Sequence, residues 1–221
     1  MDGDGLDDII FTYSQYIYYM KGDSGEQVNY EYGKAAGNSS IVMDFDGCGK
    51  PEILFAGDPG RLALLDNEKH KTIWEIMSTS DINDHSSPVM PNGLQPAVAD
   101  FDGDGKYEIV MPMVPESEND YLCCYDALTG ELMWSEELPQ SPYASCALAC
   151  DIDGDGRLEV IFTVGNVLYC YMPKQDNSGA ELKWSLSLPA VCHNPAIADF
   201  GKNGGVQIIV MCTDGYVYSV K

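Results

Sequence analysis

Positive charge is what this sequence has least of. Twelve Lys and Arg stand against 35 Asp and Glu, a formal net charge of −23. Three bound divalent cations, six positive charges, would bring that only to −17. Such a surface repels phosphates, which excludes nucleic acid and anionic membrane surfaces as partners. Long apolar runs are missing too: none approaches the ~20 residues of a bilayer-spanning helix, so no membrane insertion is expected. Histidine is rare, with His70, His85 and His193 each isolated, and neither G-x-S-x-G nor H-E-x-x-H occurs. The chain therefore reads as a binding or scaffold protein more readily than as an enzyme.

What the sequence does have is a repeated acidic loop. Asp100-Phe101-Asp102-Gly103-Asp104-Gly105-Lys106-Tyr107-Glu108 puts three carboxylates on alternate residues and a fourth four positions later, with an apolar run from Ile109 behind it. Calcium takes roughly six to eight oxygens in irregular geometry. Asp100, Asp102, Asp104, the Lys106 carbonyl and a bidentate Glu108 would nearly complete that shell. An EF-hand loop opens with the same letters but needs its bidentate Glu at position twelve, between helices. Position twelve here is Met111, inside a strand-like run.

Asp151-Ile152-Asp153-Gly154-Asp155-Gly156-Arg157-Leu158-Glu159 repeats the motif in full. A version with one ligand replaced runs from Asp44 through Asp46, Cys48 and Lys50 to Glu52. A truncated copy holds Asp2, Asp4, Leu6 and Asp8, and an eroded one runs from Asp199 to Gln207. Starts at 44, 100, 151 and 199 give spacings of 56, 51 and 48 residues, which belong to propellers, solenoids or arrays. Solenoids use shorter periods.

The unit from 95 to 143 reads as four short strands, 96–99, 108–113, 121–125 and 131–136, separated by polar and Gly-rich turns. The other units are approximately 1–39, 40–94, 144–193 and 194–221. Trp74, Trp134 and Trp184 recur 30, 34 and 33 residues after the first Asp of their loops, where a large ring packs one sheet on the next. The expected fold is all-β, a β-propeller of four-stranded antiparallel blades with about five blade units. The first unit lacks its first strand and the last unit its fourth, so an excerpt of a larger ring is expected, with further blades of the same parent chain beside it. Eight cysteines, several in apolar strands, suit either small core residues or one or more disulfides.

These loops resemble the FG-GAP or VCBS repeats, the integrin-α-like propeller blades with a D-x-D-G-D-G-x-x-[DE] loop between first and second strands. The resemblance implies Ca2+ at Asp100, Asp102, Asp104, Lys106 and Glu108, and at Asp151, Asp153, Asp155, Arg157 and Glu159. Weaker or no binding is implied at Asp2, Asp4, Leu6 and Asp8 and at Asp44, Asp46, Lys50 and Glu52. It also implies an extracellular or cell-surface module for adhesion or ligand recognition, the ligand being a glycan or a protein. The segments Tyr125 to Trp134 and Asp214 to Val220 are similar to quinoprotein-type blades. Cys123-Cys124 resembles a vicinal pair of that family but is read here as core packing, and no cofactor site is expected.

Bacterial rhamnogalacturonan lyases carry similar loops, so a fragment of a calcium-dependent polysaccharide lyase is the alternative, and a purely structural propeller the third. Topology places the loops opposite the metal loops together, and their polar and aromatic residues, His85, Asn92, Tyr143, His193 and Asn194, are the candidate ligand face. Plain solvated connections are the competing reading of those loops.

Overall fold

The computed structural model describes residues 6–13, 16–31, 39–57, 61–77, 95–113, 120–139, 141, 143–199 and 206–221. Among these the protein is all-β, with five antiparallel sheets and no helix. The first sheet holds β1 (Ile9–Tyr13), β2 (Tyr16–Met20) and β3 (Gln27–Glu31). The second holds β4 (Ser39–Met43), β5 (Glu52–Gly57), β6 (Arg61–Asp66) and β7 (Lys71–Met77). The third comprises β8 (Ala97–Ala99), β9 (Glu108–Met113), β10 (Asp120–Asp126) and β11 (Leu132–Leu138). The fourth comprises β12 (Leu148–Cys150), β13 (Glu159–Val164), β14 (Val167–Pro173) and β15 (Ala180–Ser187). The fifth holds β16 (Ala196–Asp199), β17 (Val206–Met211) and β18 (Val217–Val220).

Each sheet is a meander in sequence order, which is the build of a propeller blade. The chain divides into two compact units, residues 1–95 with the turn 128–130, and 96–127 with 131–221.

Burial explains which sequence runs became which strands. Every residue of β9 and β13 is buried, as befits second strands covered on both faces, and after their opening Glu both read as apolar runs, broken only by Thr163 in β13. The outermost strand β11 instead mixes exposed and buried positions, so polar residues are tolerated there. In the first unit, Ile17 packs with Ile53, Phe55, Ala63 and Leu65, joining the first two sheets.

The tryptophans dock consecutive sheets in the second unit. Trp134 of β11 shares a core cluster with Phe162, Tyr169, Tyr171 and Ala180 of the fourth sheet. Trp184 of β15 packs against the cluster containing Ile208 and Val210 of the fifth. A shared irregularity marks the strand beside each ring: the ladder shifts register between Leu64 and Leu65, between Cys124 and Tyr125, and between Cys170 and Tyr171. On the facing strand Ile73, Met133 and Lys183 are each the unpaired extra residue of a β-bulge, immediately before the Trp.

Cys123 and Cys124 are both buried, on adjacent positions of β10 whose side chains point to opposite faces. They serve as small core residues.

Trp134 is 6% exposed, so truncation should open a cavity between sheets. Trp134→Ala is expected to cost about 3–5 kcal/mol in urea unfolding, and Trp134→Phe clearly less. Equal losses would mean the ring contributes no inter-sheet packing.

Candidate metal centre

Three loops fold alike, and the local chemistry says why. In the third sheet's loop, Asp100 accepts Gly103 N–H on Oδ1 at 2.7 Å and Gly105 N–H on Oδ2 at 3.0 Å. Asp102 Oδ1 accepts Asp104 N–H at 2.9 Å, and Asp104 Oδ1 accepts Lys106 N–H at 2.8 Å. These turns carry Gly103 and Gly105 to φ of 82° and 87°, a backbone region that glycine enters without steric cost. The fourth sheet's loop repeats the pattern from Asp151 to Gly154 and Gly156, with φ of 78° and 88°. Even the second loop keeps it: Asp44 Oδ2 accepts Gly49 N–H at 2.8 Å despite Cys48 in the motif.

The last motif residue anchors the loop to the sheet. Glu52, Glu108 and Glu159 are buried at the start of β5, β9 and β13. Each Oε2 accepts the N–H of the second motif residue: Phe45 at 2.9 Å, Phe101 at 2.8 Å and Ile152 at 2.9 Å. Glu108, expected from sequence to be a bidentate ligand, thus has its Oε2 on the Phe101 amide.

The acidic groups converge. Ligand atoms of Asp100, Asp102 and Glu108 lie within 4.8 Å of one another, as do those of Asp151, Asp153 and Glu159, and those of Asp44, Asp46 and Cys48. Asp104 and Asp155, the expected position-five ligands, are exposed and outside these groups, each capping the N–H two residues on. Lys50, Lys106 and Arg157 follow at the expected carbonyl positions, with Lys50 Nζ turned outward to Glu68 at 2.5 Å. Of the first loop, Leu6 is exposed and Asp8 accepts Gly22 N–H at 3.1 Å, while Asp2 and Asp4 lie outside the described residues.

One ligand group already has a cation. Lys183 Nζ lies 2.6 Å from Asp153 Oδ2 and 2.6 Å from Glu159 Oε1. Lys183 is the bulge residue of β15, and the bulge turns its side chain out of the ladder. The third loop has Met133 at that place and receives instead Asn177 Nδ2, 2.5 Å from Asp102 Oδ2.

At the opposite end of the fourth and fifth sheets lies a cleft of about 680 Å³, lined by Tyr143, Ala144, Ser145, Val191, Cys192, His193, Asn194, Met211 and Thr213. Three of the ligand-face residues named from sequence meet here: Tyr143, His193 and Asn194. Tyr143 is 59% exposed. Asn194 is also structural, since its Oδ1 accepts Cys146 N–H at 3.1 Å. His85 and Asn92 lie outside the described residues. The sequence reading missed Met211 and Thr213, whose place in the cleft follows from the pairing of Cys192 with Cys212.

The profile of FG-GAP-like repeats matches residues 44–111, the span from the second acidic loop into β9. This stretch resembles an FG-GAP-like repeat. Solved structures agree at the level of fold. Sqt1 of Saccharomyces cerevisiae aligns with a TM-score of 0.68 at 10% identity, over 99% of this chain and 56% of its own. The quinohemoprotein alcohol dehydrogenase of Comamonas testosteroni aligns at 0.62 and 16% identity, over 92% and 39%. A rhamnogalacturonan lyase of Bacillus licheniformis aligns at 0.57 and 17%, over 94% and 45%. The chain thus spans about half the length of these structures. No curated protein sequence matches it significantly.

The FG-GAP-like loops fit a hard cation by their own chemistry. In the second loop Asp44 Oδ1 is buried with no hydrogen-bond partner. In the third, burial and the nearby Asp102, Asp100 and Asp104 push the Glu108 carboxyl up to about 7. Glu52 is raised for the same reasons, burial first and then Asp46 and Asp44. These carboxylates want either a proton or a cation.

A carboxyl raised in the folded state favours its protonated form there. Its contribution to stability is complete below the unfolded value near 4.5 and is lost as pH rises through 7. In chelator, the native chain should therefore lose thermal stability relative to Glu108→Gln as pH rises from 4.5 to 7. Parallel profiles for the two proteins would refute the assignment.

Proposed function

We propose that this chain is a calcium-binding β-propeller module of the extracellular space or cell surface that recognises a glycan or protein ligand through the cleft opposite its metal loops. The observation that carries the reading is the recurrence of one oxygen-rich group, first Asp, third Asp and final Glu, at the same place in consecutive blades. Calcium suits it better than magnesium, because the loops offer carboxylate and carbonyl oxygens in an irregular arrangement.

The resident ion would sit among Asp100, Asp102, Glu108 and the Lys106 carbonyl, and would supply the positive charge that these groups lack. In the fourth loop an ion must displace the Lys183 ammonium from Asp153 and Glu159, so the third loop is the tighter site. Isothermal titration should give calcium binding that Asp102→Ala and Asp153→Ala together abolish. Lys183→Met should tighten the fourth site about fivefold to tenfold. At a dissociation constant of 10⁻⁴ M, millimolar calcium adds about 1.4 kcal/mol per site, a rise of about 3–6 °C in Tm. Absence of binding, or indifference of both substitutions, overturns the metal reading.

The cleft supports ligand recognition through its exposed Tyr143 beside His193, an apolar wall at Val191 and Met211, and polar Asn194 and Thr213. An aromatic face with a few convergent polar groups is the usual make-up of a small-molecule site. The likeness to the Bacillus licheniformis lyase favours a second reading, part of a calcium-dependent polysaccharide lyase. A glycan panel that includes rhamnogalacturonan oligosaccharides separates the two. Recognition predicts binding lost in Tyr143→Ala/His193→Ala with calcium affinity unchanged. A lyase predicts ultraviolet-absorbing unsaturated uronate products.

A further inference from the structure

We infer that Cys192 and Cys212 form a disulfide that pins the wall of the cleft. Their Sγ atoms lie 3.7 Å apart across an antiparallel bridge, and both residues are buried. His193 N–H donates to Met211 O at 2.8 Å and Thr213 N–H to Val191 O at 2.9 Å, on either side of the pair. Residues 192 and 212 are thus a non-hydrogen-bonded antiparallel pair, the kind that brings Cα atoms to about 4.5 Å and side chains closest together. A disulfide accepts Cα separations of about 4.4–6.8 Å, so the bond closes by a rotation of the side chains without moving the backbone. Cys123 and Cys124, by contrast, point to opposite faces of β10, and Cys48 is exposed on a loop.

The oxidant is a small disulfide such as oxidised glutathione. One Cys thiolate attacks it, breaking its S–S bond and releasing one glutathione thiolate to leave a mixed disulfide. The second Cys thiolate then attacks the protein sulfur of that mixed disulfide and releases the other glutathione. One S–S bond is broken and one is made, and the two cysteine protons pass to the two glutathione thiolates. Burial, together with Cys212 beside it, pushes the Cys192 thiol up to about 12. The folded Cys192 thiol is therefore slow to react, and the bond forms as the strands pair or when they open.

The staple ties the segment entering the fifth blade to the end of β17. Val191 and His193 on one side and Met211 and Thr213 on the other line the cleft, so the bond fixes their spacing before any ligand arrives. It is independent of the metal loops.

The test incubates the native chain with oxidised glutathione near its thermal midpoint, then alkylates, digests without reductant and maps by mass spectrometry. A peptide pair joined through 192 and 212 is expected, with a Tm on the order of 5–10 °C above the reduced chain. The Tm gain should vanish in Cys192→Ala/Cys212→Ala. Recovery of both residues as alkylated thiols, as stable glutathione adducts, or joined to other cysteines overturns the assignment.

Discussion

The amide of the second motif residue bonded to the carboxylate of the ninth is the contact on which each of the three acidic loops depends. It spans seven residues and joins a loop to the strand that follows it. The glutamate is buried and needs a donor, since an unsatisfied buried polar group costs about 1–3 kcal/mol. The amide sits on Phe45, Phe101 or Ile152, and the two phenylalanine side chains are themselves buried. The loop is therefore tacked down by an apolar residue and a hydrogen bond at adjacent points, and its aspartates have only local turns left to make.

Holding an anion there creates a charge problem, and the three loops meet it in two ways. Glu108 keeps its proton to unusually high pH, with burial as the main cause. Glu52 of the second loop is raised in the same way. Glu159 takes an ammonium from within the chain. Isolated carboxylates at this depth would otherwise carry several kcal/mol of desolvation, so one of the two remedies is required wherever the anchor is kept.

Much of this was legible in the sequence because it is local. Strand positions follow from apolar runs bounded by Gly and Asp, and the β9 range begins at its motif glutamate as expected. The D-G-D-G spacing encodes its own turns, since donor and acceptor are two to five residues apart. What was not legible is long-range. Lys183 reaches partners 30 and 24 residues away, and Asn177 reaches Asp102 across 75. The position-five aspartates looked equivalent to the others by spacing, yet they lie outside the converging acidic groups. Met211 ends an ordinary apolar strand, and nothing in its neighbourhood announces that the strand end borders a cleft.

The β-bulge explains how sheets of one design come to differ at their metal ends. A residue in a regular ladder has its side chain assigned to one face of the sheet, and in a packed blade that face is core. The bulged residue has no ladder partner, so its direction is set by what lies around it. Ile73 stands 49% exposed, Met133 packs into the core shared by the third and fourth sheets, and Lys183 turns to the acidic loop. The Trp that follows keeps its docking role whichever residue precedes it. A single position can thus change from apolar to cationic without disturbing the sheet, and that choice decides whether a blade neutralises its own carboxylates or leaves them for an ion from solution.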